Sequence, residues 1–276
     1  MDWLYHILYG LISGLADILP VSSPAHQNIF NTLIPDGTIS AFTRLMVHMA
    51  IFAALYYTCN NQLIRIARAV KLAKIPKRRR KRPLDTKSLM ELEMLKTMAI
   101  PLVIGFVFYS KAVAFVNTLM IMSVILLLNG VILFVPQYLP GSNKDARSMS
   151  PIDSFLMGIG GGLAVLPGMS AIGVTTSIGC VRGGEKSFNF QIALTMNLGV
   201  TLGMILMDFV GIFSTGMDFD GFLGFLMACL AAAAAFGGSM LGIRIMKKLA
   251  QKSGFGMFAY YCWGAALFSF ILYLTT

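Results

Sequence analysis

Asp17, Ser22, Ser23 and His26 fall within ten positions of each other and carry the side chains of acid–base and nucleophilic chemistry. They stand in the stretch 14–26, GLADILPVSSPAH, a polar interruption of an otherwise apolar run. An ionisable residue inside an apolar segment is costly and usually functional. A histidine can exchange protons near neutral pH. Serines that follow a helix-breaking proline can sit at a helix N-terminus, where free N–H groups and the helix dipole suit a phosphate. The stretch 162–173, GLAVLPGMSAIG, echoes the first, with Gly-Leu-Ala, then Leu-Pro, then small and hydroxyl residues. It offers Gly168, Ser170, Gly173 and Thr175 as anion-binding candidates. Two helix starts facing each other would make a pocket for an anion. Each residue also has a plainer reading: Ser22 as an N-cap, Asp17 as a cap or the partner of an arginine, His26 as a hydrogen-bonded packing residue.

Pro20 and Pro167 both interrupt apolar runs. A broken helix in lipid leaves polar backbone unsatisfied, so such breaks survive where they are buried in protein or line a watery cavity. Two breaks at matching places in two halves point to a binding site at a repeat interface. The elements that must position them are membrane helices. Hydrophobic residues make up 57% of the chain and charged residues 12%, which excludes an ordinary soluble domain. Apolar segments at about 42–63, 97–116, 118–136, 188–213, 221–243 and 255–275 each suffice for one span.

Half of the 22 Lys and Arg residues lie between Arg65 and Lys87. The positive-inside rule puts that region in the cytoplasm, with anionic membrane lipids as its partner rather than nucleic acid. Parity then makes 3–34 and 155–181 re-entrant helix–loop–helix hairpins. The expected fold is all-α: six transmembrane helices plus two re-entrant hairpins in an inverted-topology repeat. It forms one membrane domain over 1–276, with repeat one at about 1–136, including a basic loop 65–96, and repeat two at about 151–276. Both termini are expected outside; the alternative is that 3–19 crosses fully and the N-terminus lies inside. Asp218 and Asp220 mark an external tip. The N-terminus has no basic n-region, so no cleaved signal peptide is expected. The alanines at 231–235 suggest a close helix contact, either internal or at a dimer face. The four cysteines are scattered and read as packing residues. His48 lies in a span and could reach the cavity. Arg44 and Lys111 are isolated cations near span ends that either snorkel or meet a phosphate.

The motif LPVSSPAH resembles the PVSS-x-x-H signature of the undecaprenyl pyrophosphate phosphatases of the BacA/UppP family. LPGMSAIG resembles that family's PG-x-SRSG element, and Val47-His48-Met49-Ala50 and Arg182 with Phe188-Asn189-Phe190 resemble further segments. The resemblance covers most of the chain. It implies the fold above, usually as a homodimer, and removal of one phosphate from undecaprenyl diphosphate at the bacterial plasma membrane. That reaction recycles the lipid carrier for cell-wall synthesis. By the resemblance Ser22, Ser23 and His26 match the motif's catalytic residues, and Asp17 and Ser13 stand at its two glutamates. Ala171 stands at its arginine and Ile172 at its following serine. Arg44, Lys111 or a divalent cation (Mg2+ or Ca2+) held by Asp17 would have to replace that arginine. The alternative is a non-hydrolytic polyprenyl-phosphate binder, flippase or transporter of the same fold.

Overall fold

The structure, a computed structural model, describes residues 2–34, 39–139, 143–216, 221–252 and 254–276. In chain order the helices are α1 (Asp2–Ile18), α2 (Ser23–Leu33), α3 (Ala41–Ala73), α4 (Thr86–Val107), α5 (Tyr109–Phe115), α6 (Leu119–Phe134), α7 (Pro151–Leu163), α8 (Ala171–Val181), α9 (Lys186–Thr215), α10 (Gly221–Lys252) and α11 (Met257–Thr275). α3, α6, α9, α10 and α11 are each long and apolar enough to cross a membrane. α4 and α5, bent by 61° at their junction, pass as a sixth when taken together. The protein is an all-helical polytopic membrane protein, and side chains such as Phe213 and Phe222 project outward as a lipid-facing surface requires.

Neither proline-broken segment is a continuous helix. α1 ends at Ile18 and α2 begins at Ser23; α7 ends at Leu163 and α8 begins at Ala171. The chain doubles back at each break. Tyr5 stacks on Phe30 and donates to Asn31, while the Ser13 carbonyl accepts from Ser23. In the second hairpin Arg182 reaches Asp153, and Thr175 donates to the Met157 carbonyl. Both are therefore antiparallel helical hairpins whose tips carry the prolines.

The two hairpins dock by the same device. Gly10 and Gly14 of α1 lie against the backbone of Ala231 and Ala235 on α10, where any Cβ would collide with a carbonyl. Gly158 and Gly162 of α7 lie as closely on the backbone of Met98 and Pro101 on α4. Small residues four apart let helix backbones approach where lipid offers no hydrophobic drive for association. The alanines at 231 and 235 are thus part of an internal contact. Exchanging the halves of the chain maps most contacts onto one another. α1 packs on α10 as α7 packs on α4, α3 on α10 as α9 on α4, while α3 meets α9 and α6 meets α11.

The basic region 65–96 is helical at both ends, because α3 continues to Ala73 and α4 begins at Thr86. Lys and Arg are good helix formers, so the helices run past their apolar parts. Asp85 caps α4 by accepting from the Ser88 N–H. The expected acidic tip, Asp218 and Asp220, lies outside the described residues.

Candidate functional site

The tips of the two hairpins touch. Ser22 occupies the N-cap position of α2, but its hydroxyl makes no bond to its own helix. Its Oγ instead accepts from the Gly168 N–H at 2.9 Å, across 146 positions of sequence. Ser22 has φ 71°, ψ 104°. A non-glycine residue at positive φ is uncommon, and such strain costs about 1–3 kcal/mol and collects at functional sites. Gly168 has φ 112°, which glycine alone tolerates well. Asn129 of α6, fully buried, ties the tips a second time: its Nδ2 donates to the Pro20 carbonyl at 3.1 Å, and its Oδ1 accepts from the Ser170 N–H at 3.0 Å.

Beside this junction is a cavity of about 30 Å³, lined on one side by Asp17, Ser22 and Ser23 and on the other by Ser170 and Ala171, with His48 of α3 also facing it. Both helix starts point at it. Ser170 caps α8 by accepting from Gly173, while the first-turn N–H groups of Ser23, Ala25, Ala171 and Ile172 have no partner among the described hydrogen bonds. Unpaired amides at a helix N-terminus are an anion site. Asp17 is fixed by Asn197 of α9, which donates to Oδ2 at 2.8 Å. It pairs with an amide, not with an arginine. The Oδ1 of Asn197 is buried without a partner.

The other expected site residues surround the cavity without lining it. Ser13 donates to the Tyr9 carbonyl at 2.7 Å and accepts from Gln27. Gly173 packs against Pro20, so a larger residue there would drive the tips apart. Thr175 faces α7. His26 departs most from the expectation of a catalytic base at the cavity. Its Nδ1 donates to the Ser22 carbonyl at 2.9 Å, and its Nε2 pairs at 2.8 Å with the hydroxyl of Tyr261 on α11, on which the ring also stacks. One turn past Ser22, the ring therefore points from α2 toward α11, and both nitrogens are engaged. Arg44 and His48 share a partner that sequence reasoning missed, Asp208 of α9. Asp208 does carry the usual signal, an ionisable residue in an apolar helix. Asn129, Asn197, Gln27 and Tyr261, also missed, carry no signal stronger than a polar group in a span. Lys111 sits on α5 away from the cavity lining. Arg182 closes the base of the second hairpin, far from its tip.

Among the described residues no group of three His, Cys, Asp or Glu side chains could hold a metal ion. Asp17 alone does not make a cage, and any divalent ion there would need oxygens from elsewhere.

Known proteins match this chain over nearly its whole length. The family described as Bacitracin resistance protein BacA matches residues 6–268. The chain is 28% identical to the undecaprenyl-diphosphatase of Methanobrevibacter smithii over 277 residues, covering 98% of each protein. It is 31% identical to that of Bacteroides thetaiotaomicron over 266 residues, covering 95% of this chain and 96% of the relative. It is 28% identical to that of Thermosipho africanus over 269 residues, covering 97% and 99%. With its two proline-broken hairpins meeting at a serine-lined cavity and a family match over nearly its whole length, this chain belongs to the BacA family.

Proposed function

We propose that this protein hydrolyses undecaprenyl diphosphate, or a related polyprenyl diphosphate, to the monophosphate and so recycles the lipid carrier of cell-wall synthesis. The observation that carries the reading is the meeting of the two hairpin tips at one cavity bearing Asp17, Ser22, Ser23 and Ser170. The unpaired first-turn amides and the serine hydroxyls hold phosphate oxygens, as preorganised donors do in other acyl- and phosphoryl-transfer sites. Ser22 or Ser23 and Asp17 carry the reaction. His26 positions the first tip through the Ser22 carbonyl and Tyr261. A divalent cation shared between Asp17 and the diphosphate would supply charge neutralisation.

In the membrane the two hairpins are re-entrant, the repeats are inverted, and the termini and cavity mouth face away from the basic region 74–85. That region meets anionic headgroups, and two copies associate as a dimer. The exchange of packing partners between halves and the bonds that fold each hairpin back on itself support the inverted, re-entrant plan.

The test is phosphate release from undecaprenyl diphosphate by the purified full-length protein, with Mg2+, with Ca2+ and with a chelator. Release abolished by Asp17→Ala supports the enzyme; no release under any of these conditions overturns it. One observation favours a second, non-hydrolytic reading. Ala171, whose side chain bears no charge, lines the cavity. Losing a cationic clamp costs about 10³- to 10⁵-fold in phosphoryl-transfer rate, so turnover suffers more than binding. Activity that appears only on Ala171→Arg, with lipid-phosphate movement across vesicles by the natural chain, would establish that reading.

A further inference from the structure

Among the residues that line the cavity, Asp17 is acidic and His48 alone can carry a positive charge. A phosphate beside Asp17 needs a compensating donor within reach, because like charges repel strongly in a poorly solvated site. His48 enters from α3, outside both hairpins, and stands among the lining residues with a side-chain exposure of 16%. Its Nδ1 is hydrogen-bonded to Oδ2 of Asp208. That bond fixes the ring plane and leaves Nε2 without a partner among the described hydrogen bonds. Asp208 is itself 11% exposed, and its other oxygen lies 3.9 Å from Nε of Arg44, one turn before His48 on α3. The carboxylate thus joins two basic side chains of α3 to α9, and one of them faces the cavity.

We propose that His48 is the phosphate-anchoring donor of this site and that Asp208 is its positioning residue. Resting on the phosphate reading of the cavity, this assigns the cationic side of the site to α3 and α9 rather than to either hairpin. Nε2–H of His48, doubly protonated as the imidazolium, donates to a phosphate oxygen, and Asp208 acts through the ring by accepting from Nδ1–H. Arg44 offsets the remaining charge on Asp208, so the carboxylate does not repel the incoming anion. A carboxylate behind an imidazole fixes ring orientation and raises the basicity of the other nitrogen, and removing it where the ring binds a metal costs about 10- to 100-fold.

The test uses the full chain in detergent, with phosphate release from undecaprenyl diphosphate giving kcat and KM. Thermal stabilisation by undecaprenyl phosphate measures binding separately. His48→Phe, which keeps a ring but has no donor, lowers kcat/KM by about 100- to 1,000-fold, the usual loss for one preorganised anion donor. Asp208→Asn lowers it by about 10- to 100-fold, mainly through KM, and Asp208→Glu restores most of the loss at an unchanged melting temperature. A kcat/KM for His48→Phe within about threefold of the natural chain overturns the proposal, since a lost donor costs two to three decades. Equal losses in Asp208→Asn and Asp208→Glu overturn the positioning role. Should Asp208→Asn not fold, Asp208→Glu and His48→Phe still decide. Where the natural chain releases no phosphate, hydrolysis fails as a function. The anchor is then judged by binding alone: it stands if His48→Phe abolishes stabilisation by undecaprenyl phosphate and falls if stabilisation persists.

Discussion

The two hairpins share a plan and differ in what they bring to the cavity. α1 and α7 dock through paired glycines on a helix of the other half, and each turns back at a Leu-Pro break. Side chains come from the first tip: Asp17, the strained Ser22 and Ser23. The second tip contributes mainly backbone, in the Gly168 N–H that holds Ser22 and the capped start of α8 at Ser170. Their coverage differs too. Residues 171–177 of α8 are all buried, while α2 is partly exposed at Pro24, His26, Gln27 and Asn28. α8 packs along α9, whereas α2 makes no comparable contact with α3. The first tip brings its acid and hydroxyl side chains to the cavity on the looser support, and the second is the more enclosed wall beside them.

Substitutions at the two tips should therefore have unequal effects on activity. Asp17→Asn keeps the shape and removes the charge, and is expected to cost about 100- to 10,000-fold in phosphate release, the range for a positioned acid or base. Ser170→Ala removes a helix cap and should cost about 1 kcal/mol of stability with much smaller loss of turnover. Release rates and melting temperatures of the two variants check this. Equal loss of rate would break the division between a chemical tip and a backbone tip.

Asn129 joins the two tips, so its loss should damage both. Asn129→Leu fills the space but orphans the Ser170 N–H and leaves the Pro20 carbonyl only the weak Cys262 thiol donor, at about 1–3 kcal/mol for a buried group left unpaired. Hydrogen exchange should then rise at 19–23 and 167–171 together. Exchange rising at one tip alone would show that the tips are held independently.

The shared docking device gives a smaller, symmetrical expectation. Gly14→Ala and Gly162→Ala each press a methyl group into facing backbone. Overpacking of this kind costs about 1–3 kcal/mol, partly offset by the better helix propensity of alanine. Thermal unfolding in detergent should show the two losses within a factor of about two of each other, as equivalent contacts require. A large inequality would mean that one hairpin is held by contacts the other lacks.

The breaks and the cavity serines are legible in the sequence because proline and hydroxyl residues have strong local meanings in an apolar chain. Side-chain direction is not. His26 stands in the right motif one turn beyond Ser22, yet nothing local says that Tyr261, 235 positions away, will take its free nitrogen. The pairing of His48 with Asp208 spans 160 positions and depends on how α3 lies against α9. Asp208 has the composition signal of a functional residue, but its partner and its side of the helix come only from packing. The bend between α4 and α5 is equally silent, since 97–116 reads as one apolar run.

The smallest expected effect lies at the base of the second hairpin, where the first packs Tyr5 on Phe30 and bonds it to Asn31. Asp153 completes a capping box with Ser150, and Nε of Arg182 donates to its Oδ1 at 2.6 Å. Burial opposes the charge on Asp153, but the Ser150 N–H, the Arg182 guanidinium and the Ser150 hydroxyl together overcome it and hold the carboxyl below its ordinary range. A group whose pKa is lowered on folding stabilises the fold fully above its unfolded value, near 3.9 for aspartate, and loses that contribution as pH falls through the folded value. Melting temperature should therefore be flat for this group from pH 7 to about 5 and fall below about 4. In Asp153→Asn the acid-side fall should be shallower, and Arg182→Gln should behave alike. Arg182 is 44% exposed, so solvent screens the pair and the shift in slope is modest. An acid-side slope unchanged in both variants would mean that Asp153 loses no stabilising contact when protonated. The base of the second hairpin would then be held by its cap and packing rather than by charge.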